Sequence, residues 1–424
     1  MNRRDLLKYA GFAGAVTMLA PGLRLAKAAP PSTMKKRLIV VFAQGGWDTT
    51  YGIDPKPVGS TEVAVPPVGG PAPYGNLDVY WNGSDTDQVR KFFNKHAPVT
   101  AIVRGISVGA VSHTECAQRI CTGTRSETNP DMAAIVANAN GNDLPMPYMI
   151  LGDTAFAGEY AVSTGRIGQS NQIVALLDPA QAYPTGNRPA MTISDSEQAI
   201  LTRHANATAN RMRATRGSQG YNRKRVDDFV ASIDRSKQLK SVAAGFGKRG
   251  GTLALKDQIA MALDAIERDI TQAVMIDSRQ DWDTHNKNAD QAANYQETFE
   301  GLTKLLDGLL ARPGRQAGTK MIDDTIVVCM SELGRTPKLN GDLGKDHWPV
   351  TSAMVIGGGV RGDRVYGGTS EKVDALPINL ATGAVDPAGT MLMPDHFVGG
   401  VLKLAGVAPP TNFGPIEVLD ALMS

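Results

Sequence analysis

Five runs of apolar residues recur along the chain, and each of them stops abruptly at glycine or polar residues. They lack the regular polar alternation of a strand with one side in water, so they predict strands that are buried on both faces of a sheet. The runs cover residues 37–43, 100–103, 273–276, 325–330 and 353–356. Strands of this kind are typical of parallel sheets covered by helices.

Apolar positions between these strands return at every third or fourth residue, which predicts helices with one buried face. One series is Ile259, Leu263, Ile266 and Ile270; another is Phe299, Leu302, Leu305, Leu306 and Leu309. Strands alternating with helices predict an α/β fold with a mainly parallel central sheet and helices on both faces. Ligands of such folds bind beyond the carboxyl ends of the strands, so the polar residues there are the candidates for function.

Two longer segments interrupt this alternation. Residues 53–95 are rich in Pro, Gly, Asn and Asp, which predicts an excursion over the surface. Residues from about 185 to 250 are polar and basic, which predicts a helical insertion over the core. Its arginines form a solvated helix face or, as the alternative, attract anionic substrates.

The first 28 residues predict a twin-arginine signal peptide. Arg3 and Arg4 precede an apolar stretch at residues 9–19, and the small residues Ala26 and Ala28 mark a cleavage site. The stretch is too short to span a bilayer of roughly 30 Å. We therefore expect the twin-arginine translocase to export the folded chain to the periplasm or the medium, and residues 29–424 to form a single domain.

The charge of the chain changes when this segment is removed. The whole sequence carries +2, and the first 28 residues contribute five basic residues against one acidic residue, so the exported part is close to −2. This balance gives no indication of a nucleic-acid partner. No later segment reaches the length of a transmembrane helix, and three cysteines are too few for a disulfide framework.

Acids and imidazoles gather beside the ends of the predicted strands. They are Asp48, Ser112, His113, Asp281, Asp283, His285, Ser331, Glu332, Asp346 and His347, and they include three of the six histidines. Nitrogen and oxygen ligands without a thiolate suit a divalent metal ion. Asp283 and His285 can both reach one ion, whereas the adjacent Asp346 and His347 would point apart, one as a ligand and one behind it. Taken singly, each residue is equally explained as a turn residue, a helix cap or a packed histidine.

Six segments carry motifs in a fixed order along the chain. They are Gln44-Gly45-Gly46-Trp47-Asp48, Ser112-His113, Trp282-Asp283-Thr284-His285, residues 331–337, Asp346-His347-Trp348-Pro349 and residues 357–367. Together they resemble the secreted, sulfatase-like family known as domain of unknown function 1501, over about residues 35 to 408. The resemblance implies an alkaline-phosphatase-like sandwich with a pocket for divalent metal ions, the alternatives being zinc, manganese, iron, calcium and magnesium.

The resemblance also implies a ligand set and a nucleophile, and this sequence departs from the superfamily pattern at both. The implied metal ligands are Asp48, His113, Asp283, His285, Glu332, Asp346 and His347. Counting back ten residues from Gly123 to the usual place of the nucleophile gives His113 and not Ser112. Three alternatives stay open: His113 as a ligand, His113 as the nucleophile, or Ser112 as the nucleophile. Relatives also carry Asp-His where this chain has Glu332-Leu333, which removes one imidazole.

The implied function is that of an exported, metal-dependent hydrolase acting on small or glycan-borne phosphate or sulfate esters. Arg335 and Lys345 would bind the anionic group of such an ester, or would instead pair with nearby acids. The alternative function is that of a non-catalytic member of the same fold, which binds a metal ion or an anionic glycan or assists another exported protein. The altered nucleophile position favours this alternative.

Overall fold

The computed structural model describes residues 35–81, 83–126, 128–167, 194–242, 252–410 and 417–423. Lys35–Ser424 forms one compact unit. The predicted signal peptide, residues 1–28, lies outside the described residues. Within the described ranges, no helix is both long enough and apolar enough to cross a membrane.

The strands of the described residues fall where the continuous apolar runs predict them, with several short additions. They are β1 (Arg37–Phe42), β2 (Gly70–Tyr74), β3 (Leu77–Trp81), β4 (Thr100–Ser107), β5 (Tyr148–Ile150), β6 (Thr164–Arg166), β7 (Ala273–Asp277), β8 (Thr325–Met330), β9 (Gly334–Arg335), β10 (His347–Trp348), β11 (Val350–Gly357) and β12 (Arg364–Gly367). All five strands predicted from the sequence are confirmed. They are β1, β4, β7, β8 and β11.

Helices connect these strands and cover them. They are α1 (Asp87–His96), α2 (His113–Thr122), α3 (Met132–Gly141), α4 (Asp195–Ala214), α5 (Gly220–Val242), α6 (Leu255–Glu267), α7 (Asp290–Ala311) and α8 (Pro394–Leu404). Short 3-10 turns lie at Thr49–Tyr51, Gly83–Thr86, Ala97–Val99, Gly158–Ser163, Met321–Asp323 and Asp420–Leu422. The two helices predicted from the third-and-fourth spacing are confirmed as α6 and α7.

Eight strands form one sheet in the order β12-β4-β11-β8-β1-β7-β5-β6. Strand β11 pairs antiparallel with β4 and with β8, whereas all other neighbours in this sheet pair in parallel. The prediction of a mainly parallel sheet is therefore confirmed. Because β11 runs against its neighbours, its first residues lie at the edge where the other strands end. The residues just before β11 reach the same edge.

Two hydrophobic cores lie on opposite faces of the sheet. Successive side chains of a strand point to opposite faces, so Ile39 and Val41 of β1 join one core while Leu38, Val40 and Phe42 join the other. The first core contains apolar residues of α1, α6 and α7, and the second contains those of α2, α3 and α8. An α/β sandwich with helices on both faces is confirmed.

The prediction of a surface excursion at residues 53–95 is wrong for its second half. Strands β2 and β3 form an antiparallel hairpin there, and α1 follows. Phe92 and Phe93 of α1 are fully buried and contact Phe299 of α7. The sequence does not reveal this helix for two reasons. The residues before it are rich in proline and glycine, and its own apolar positions extend over fewer than three turns.

The polar, basic segment contains α4 and α5 among its described residues, and the two helices pack against each other as a hairpin. Arg213 near the end of α4 binds Asp227 of α5 at 2.7 Å. Most side chains of the hairpin are exposed or half-buried. Residues 185–193 and 243–250, at the predicted limits of the insertion, lie outside the described part of the chain.

Candidate metal centre

Three regions that are far apart in the sequence meet at the edge where the parallel strands end. His113 is the first residue of α2, and Asp283 and His285 lie in the loop that follows β7. His347 begins β10, whose partner β9 holds Arg335 opposite it. The reversed direction of β11 explains why residues that precede a strand join residues that follow strands.

Three of these residues have their ligand atoms within 4.8 Å of one another, namely His113, Asp283 and His347. The Nε2 atom of His347 lies 3.2 Å from Oδ1 of Asp283, and the Nε2 atom of His113 lies 3.3 Å from Oδ2 of the same carboxylate. Both imidazoles therefore face one carboxylate through the same ring nitrogen.

His285 joins the same cluster. Its Nε2 lies 3.3 Å from Oδ1 of Asp283 and 3.0 Å from Nε2 of His347. Ligand atoms at about 2.0–2.1 Å from a tetrahedral zinc ion are separated by about 3.3 Å. The separations of 3.0, 3.2 and 3.3 Å match that spacing. In addition, the buried Nε2 of His113 has no hydrogen-bond partner among the described residues. His113, Asp283 and His347 therefore fit a divalent cation, and His285 lies beside them against His347 and Asp283.

The other ring nitrogen of each imidazole lies against a hydrogen-bond acceptor. The Nδ1 atom of His113 lies 2.7 Å from Oε1 of Glu332. That of His285 lies 3.0 Å from Oδ1 of Asp346. That of His347 lies 2.7 Å from the carbonyl oxygen of Val111. An acceptor at Nδ1 holds the proton there and leaves the lone pair of Nε2 free to bind a metal. All three tautomers are thus fixed in the form that a metal site needs.

Glu332 lies behind His113 and does not face the centre of the cluster. It is fully buried, and Oε1 also accepts a hydrogen bond from the backbone N–H of Gly45 at 2.7 Å. The hydroxyl of Ser331 donates to its other oxygen at 3.0 Å. The hydrogen bond to Glu332 raises the pKa of His113, against the opposing effect of burial. The structure therefore gives Glu332 the place of a residue that orients a ligand.

Asp346 has the same relation to His285. Its carboxylate is exposed, and Asn340 donates to it at 3.3 Å in addition to the contact with His285. The hydrogen bond to His285 lowers the pKa of Asp346. Of the adjacent pair, His347 faces the cluster and Asp346 contacts the Nδ1 atom of His285, so the two side chains point apart.

Arg335 is buried and holds Asp283 in place. Its Nη2 donates to Oδ1 of Asp283 at 2.6 Å, and its other N–H groups donate to the carbonyls of Gly46, Lys345 and Trp282 at 2.7, 3.0 and 3.0 Å. Burial alone would raise the pKa of Asp283, but the hydrogen bond from Arg335 and contacts with the imidazoles lower it to about 2. Asp283 is therefore ionised and fixed at neutral pH.

Asp48 and Lys345 form a separate buried ion pair. The Lys345 Nζ lies 2.7 Å from Oδ2 of Asp48, and both side chains are almost completely inaccessible. Asn288 donates to Oδ2 at 2.8 Å, and the hydroxyl of Thr50 donates to Oδ1 at 2.7 Å. The structure thus places Asp48 with Lys345, outside the imidazole cluster. Arg335 and Lys345 both pair with acids, which is the second of the alternatives that the sequence leaves open.

Two loops carry the pairs Asp283/His285 and Asp346/His347, and hydrogen bonds join them. The backbone N–H of Asn288 donates to the carbonyl of Leu343 at 2.8 Å, and that of Lys345 donates to Thr284 at 3.1 Å. The side chain of Asn340 donates to the carbonyl of His285 at 2.9 Å. The relative position of the two pairs is therefore fixed by the backbone as well as by side chains.

Ser112 precedes the cluster directly. It is exposed, occupies the N-cap position of α2 and makes no side-chain hydrogen bond to that helix. Its hydroxyl is therefore not held by the helix end, in contrast to Asp131, whose carboxylate caps α3. The structure leaves Ser112 and His113 as neighbours with different surroundings.

A cavity of about 460 Å³ opens beside His113 and Asp283. Its remaining lining residues are Gln44, Gly45, Asp153, Asp277, Arg279, Gln280 and Asp281. Arg279 is paired with Asp153 at 2.7 Å, so the carboxylates outnumber the free basic groups. Burial raises the pKa of Asp277. The sequence analysis did not single out Asp153 or Arg279; Asp153 follows the three-residue strand β5, which is too short to be predicted.

The family model described as "Protein of unknown function (DUF1501)" matches residues 35–379 of the chain. No curated protein matches the chain. The matched segment contains every residue of the cluster and of the Asp48–Lys345 pair.

Solved structures similar to this chain include a sulfatase and an alkaline phosphatase. The PsFucS1 sulfatase from Pseudoalteromonas sp. is 11% identical, with 92% of this chain and 72% of that chain covered and a TM-score of 0.40. A protein in the alkaline phosphatase superfamily from Vibrio parahaemolyticus is 10% identical, with 90% and 69% covered and a TM-score of 0.39. The alkaline phosphatase from the Antarctic bacterium TAB5 is 11% identical, with 78% and 95% covered and a TM-score of 0.33.

Proposed function

We propose that this chain, which belongs to the DUF1501 family, binds a divalent metal ion and hydrolyses phosphate or sulfate esters outside the cytoplasm. The arrangement that carries the proposal is the convergence of three imidazole Nε2 atoms on one carboxylate, with neighbouring separations of 3.0 to 3.3 Å. Export remains a prediction from residues 1–28.

The proposed ligands are His113, Asp283, His285 and His347. Glu332 and Asp346, which the sequence placed in the ligand set, take the role of orienting His113 and His285 through Nδ1. Such partners of metal-bound histidines fix the ring and increase its basicity. Asp48 is assigned to the structural pair with Lys345, since its oxygens already receive Thr50, Asn288 and the lysine.

A divalent ion in this site would supply Lewis acidity towards an ester oxygen and a lowered pKa for a nucleophile. The chain's own residues determine where that chemistry takes place. Arg335 keeps Asp283 ionised and immobile. The cavity of about 460 Å³ beside His113 is large enough to admit a small ester or the end of a glycan.

A specific observation favours the second candidate function, a metal-binding member that is not catalytic. The cavity contains Asp153, Asp277 and Asp281 besides the proposed ligand Asp283, and Arg279 is already paired. Arg335 and Lys345 are buried in contacts with acids, so neither offers a cation to a bound anion. An anionic ester would depend on the metal ion for its charge balance.

The metal content of the purified full chain tests the proposal first. We expect a stoichiometric divalent ion in the wild-type protein and in His204→Ala, whose histidine is exposed on α4. His347→Ala and Asp283→Asn should lose most of it while keeping the wild-type circular dichroism spectrum. Equal metal content in all four proteins would refute the assignment of the site.

Aryl phosphates, aryl phosphodiesters and aryl sulfates then separate the two functions. We expect the metal-loaded wild type to hydrolyse at least one class, and His347→Ala to lose that activity. Loss of hydrolytic activity in Ser112→Ala, with the metal content unchanged, would identify the Ser112 hydroxyl as the nucleophile. Full metal loading without turnover of any of the three classes would establish the non-catalytic alternative.

A further inference from the structure

The helical hairpin of α4 and α5 contains a cavity that is separate from the metal centre. It lies beside the turn that connects α4 to α5, where Gly217 allows the backbone to approach α5 closely. A Cβ at Gly217 would lie 2.9 Å from the Met212 carbonyl and 3.0 Å from the side chain of Val226. The cavity has a volume of about 390 Å³, which is within the range of small-molecule sites.

The lining of this cavity combines an apolar wall with two basic groups. The apolar wall is formed by Ala209, Met212, Val226 and Phe229, and the polar residues are Thr208, Arg216, Asn222 and Arg225. Phe229 is 53% exposed, which is unusual for an aromatic side chain of this size. Among the residues that the structure describes, no acidic side chain lines the cavity.

Asp227 and Asp228, which lie between the cavity residues Val226 and Phe229 in the sequence, are already paired with other side chains. Asp227 accepts hydrogen bonds from Arg213 and Arg223 at 2.7 and 2.8 Å, and Asp228 pairs with Lys224 at 3.1 Å. The hydrogen bond from Arg223, followed by that from Arg213, lowers the pKa of Asp227. Asp227 and Asp228 are therefore already paired with basic side chains outside the cavity.

The two arginines of the cavity have no such partner. Neither Arg216 nor Arg225 forms an ion pair within the described part of the hairpin, and the guanidinium of Arg225 lies 5.7 Å from the centre of the exposed Tyr221 ring. Two guanidinium groups beside an apolar wall are complementary to a ligand that carries both an anionic and an apolar part.

We propose that this cavity binds an amphipathic anion: a small molecule with one carboxylate, phosphate or sulfate head and an apolar chain or ring. Arg216 and Arg225 bind the head, and Met212, Val226 and Phe229 contact the apolar part. The site uses no residue of the metal centre, so it stands independently of the proposed hydrolysis.

Isothermal titration of the full chain with three probes tests this site. Decyl phosphate, below its micellar concentration, carries both features; inorganic phosphate carries only the head, and decyl maltoside carries the chain with a neutral head. We expect decyl phosphate to bind at least about tenfold more tightly than either control. If decyl maltoside bound equally well, the arginines would play no part in recognition. If inorganic phosphate bound equally well, the apolar wall would play no part. Either result overturns the proposal.

Variants locate the binding. Arg216→Gln and Arg225→Gln should each weaken decyl phosphate binding by about tenfold, and Phe229→Ala should weaken it by a similar factor. The matched controls are Arg203→Gln and Ile200→Ala, which change exposed residues of α4 outside the cavity and should leave the affinity unchanged. Circular dichroism verifies that each variant is folded. An equal effect of Arg203→Gln, or binding only to phosphatidylglycerol vesicles and not to monomeric decyl phosphate, would overturn the small-molecule site.

Discussion

At the scale of single residues, the metal centre depends on which nitrogen of each imidazole is held. His113, His285 and His347 all present Nε2 to Asp283 because an acceptor lies at each Nδ1. The sequence predicted the members of this set but, apart from separating Asp346 from His347, it did not predict which of them face the cluster and which support an imidazole. Acids that bind a cation and acids that accept from Nδ1 have the same residue types, and only the contact distances separate them.

Glu332→Gln tests the supporting role directly. Glutamine has nearly the same shape, and its oxygen can still accept from Gly45 and His113, but the negative charge is lost. We expect the affinity for zinc to fall by about 10- to 100-fold without a change in the ligand set. Competition with a chelating indicator measures it, and Glu300→Gln, which removes a surface pair with Lys304, is the control. An unchanged affinity in Glu332→Gln would mean that the carboxylate does not tune the site.

At the scale of elements, long buried strands and helices could be predicted, whereas short ones could not. Runs of four to seven apolar residues marked β1, β4, β7, β8 and β11 correctly. Strands β5 and β6 have three residues each, which is too few to show a periodic pattern. Strand β5 forms because it pairs with the edge of β7, and β6 pairs in turn with β5. The direction of β11 was not predictable either, since it follows from how its ends connect and not from its own side chains.

A single added methyl group should disrupt the contact between the two loops that carry the proposed ligands. A Cβ on Gly344 would lie 1.8 Å from the carbonyl oxygen of His285, so Gly344→Ala must push the loops apart. We expect a loss of about 1–3 kcal/mol in unfolding free energy and a clear loss of metal affinity. Urea unfolding and metal titration measure the two effects.

Gly341 in the same loop is the matched control. A Cβ there meets nothing within 4 Å, so Gly341→Ala should change stability by no more than about 0.5 kcal/mol. Similar behaviour of the two variants would show that close approach at Gly344 is not what holds the loops together.

At the scale of the whole molecule, one buried acid joins the parts of the second core. Asp131 caps α3 by accepting from the backbone N–H of Ala134 at 2.8 Å. It also accepts from the hydroxyl of Tyr148 on β5 and from the backbone N–H of Phe156, both at 2.8 Å. Complete burial raises the pKa of this carboxyl from 3.8 to about 6, although these hydrogen bonds oppose the shift.

The raised pKa makes the stability of the chain dependent on pH. Between pH 3.8 and about 6 the native state binds more protons at Asp131 than the unfolded state does, so its contribution to stability falls as pH rises. The fall amounts to about 3 kcal/mol over that interval. Asp131→Asn should remove this component, so that the difference in unfolding free energy between variant and wild type changes with pH from 4 to 7. A pH-independent difference would contradict the raised pKa.

The ligands of the metal centre are distributed from His113 to His347, and the last of them comes from the reversed segment before β11. A nascent chain on the ribosome therefore lacks the complete set of proposed ligands until His347 has been synthesised. Capture of a metal ion at the proposed centre would consequently be a late event in biogenesis. A protein truncated before residue 347 would leave translation with three of its four proposed ligands and without β11, which lies between β4 and β8 in the sheet.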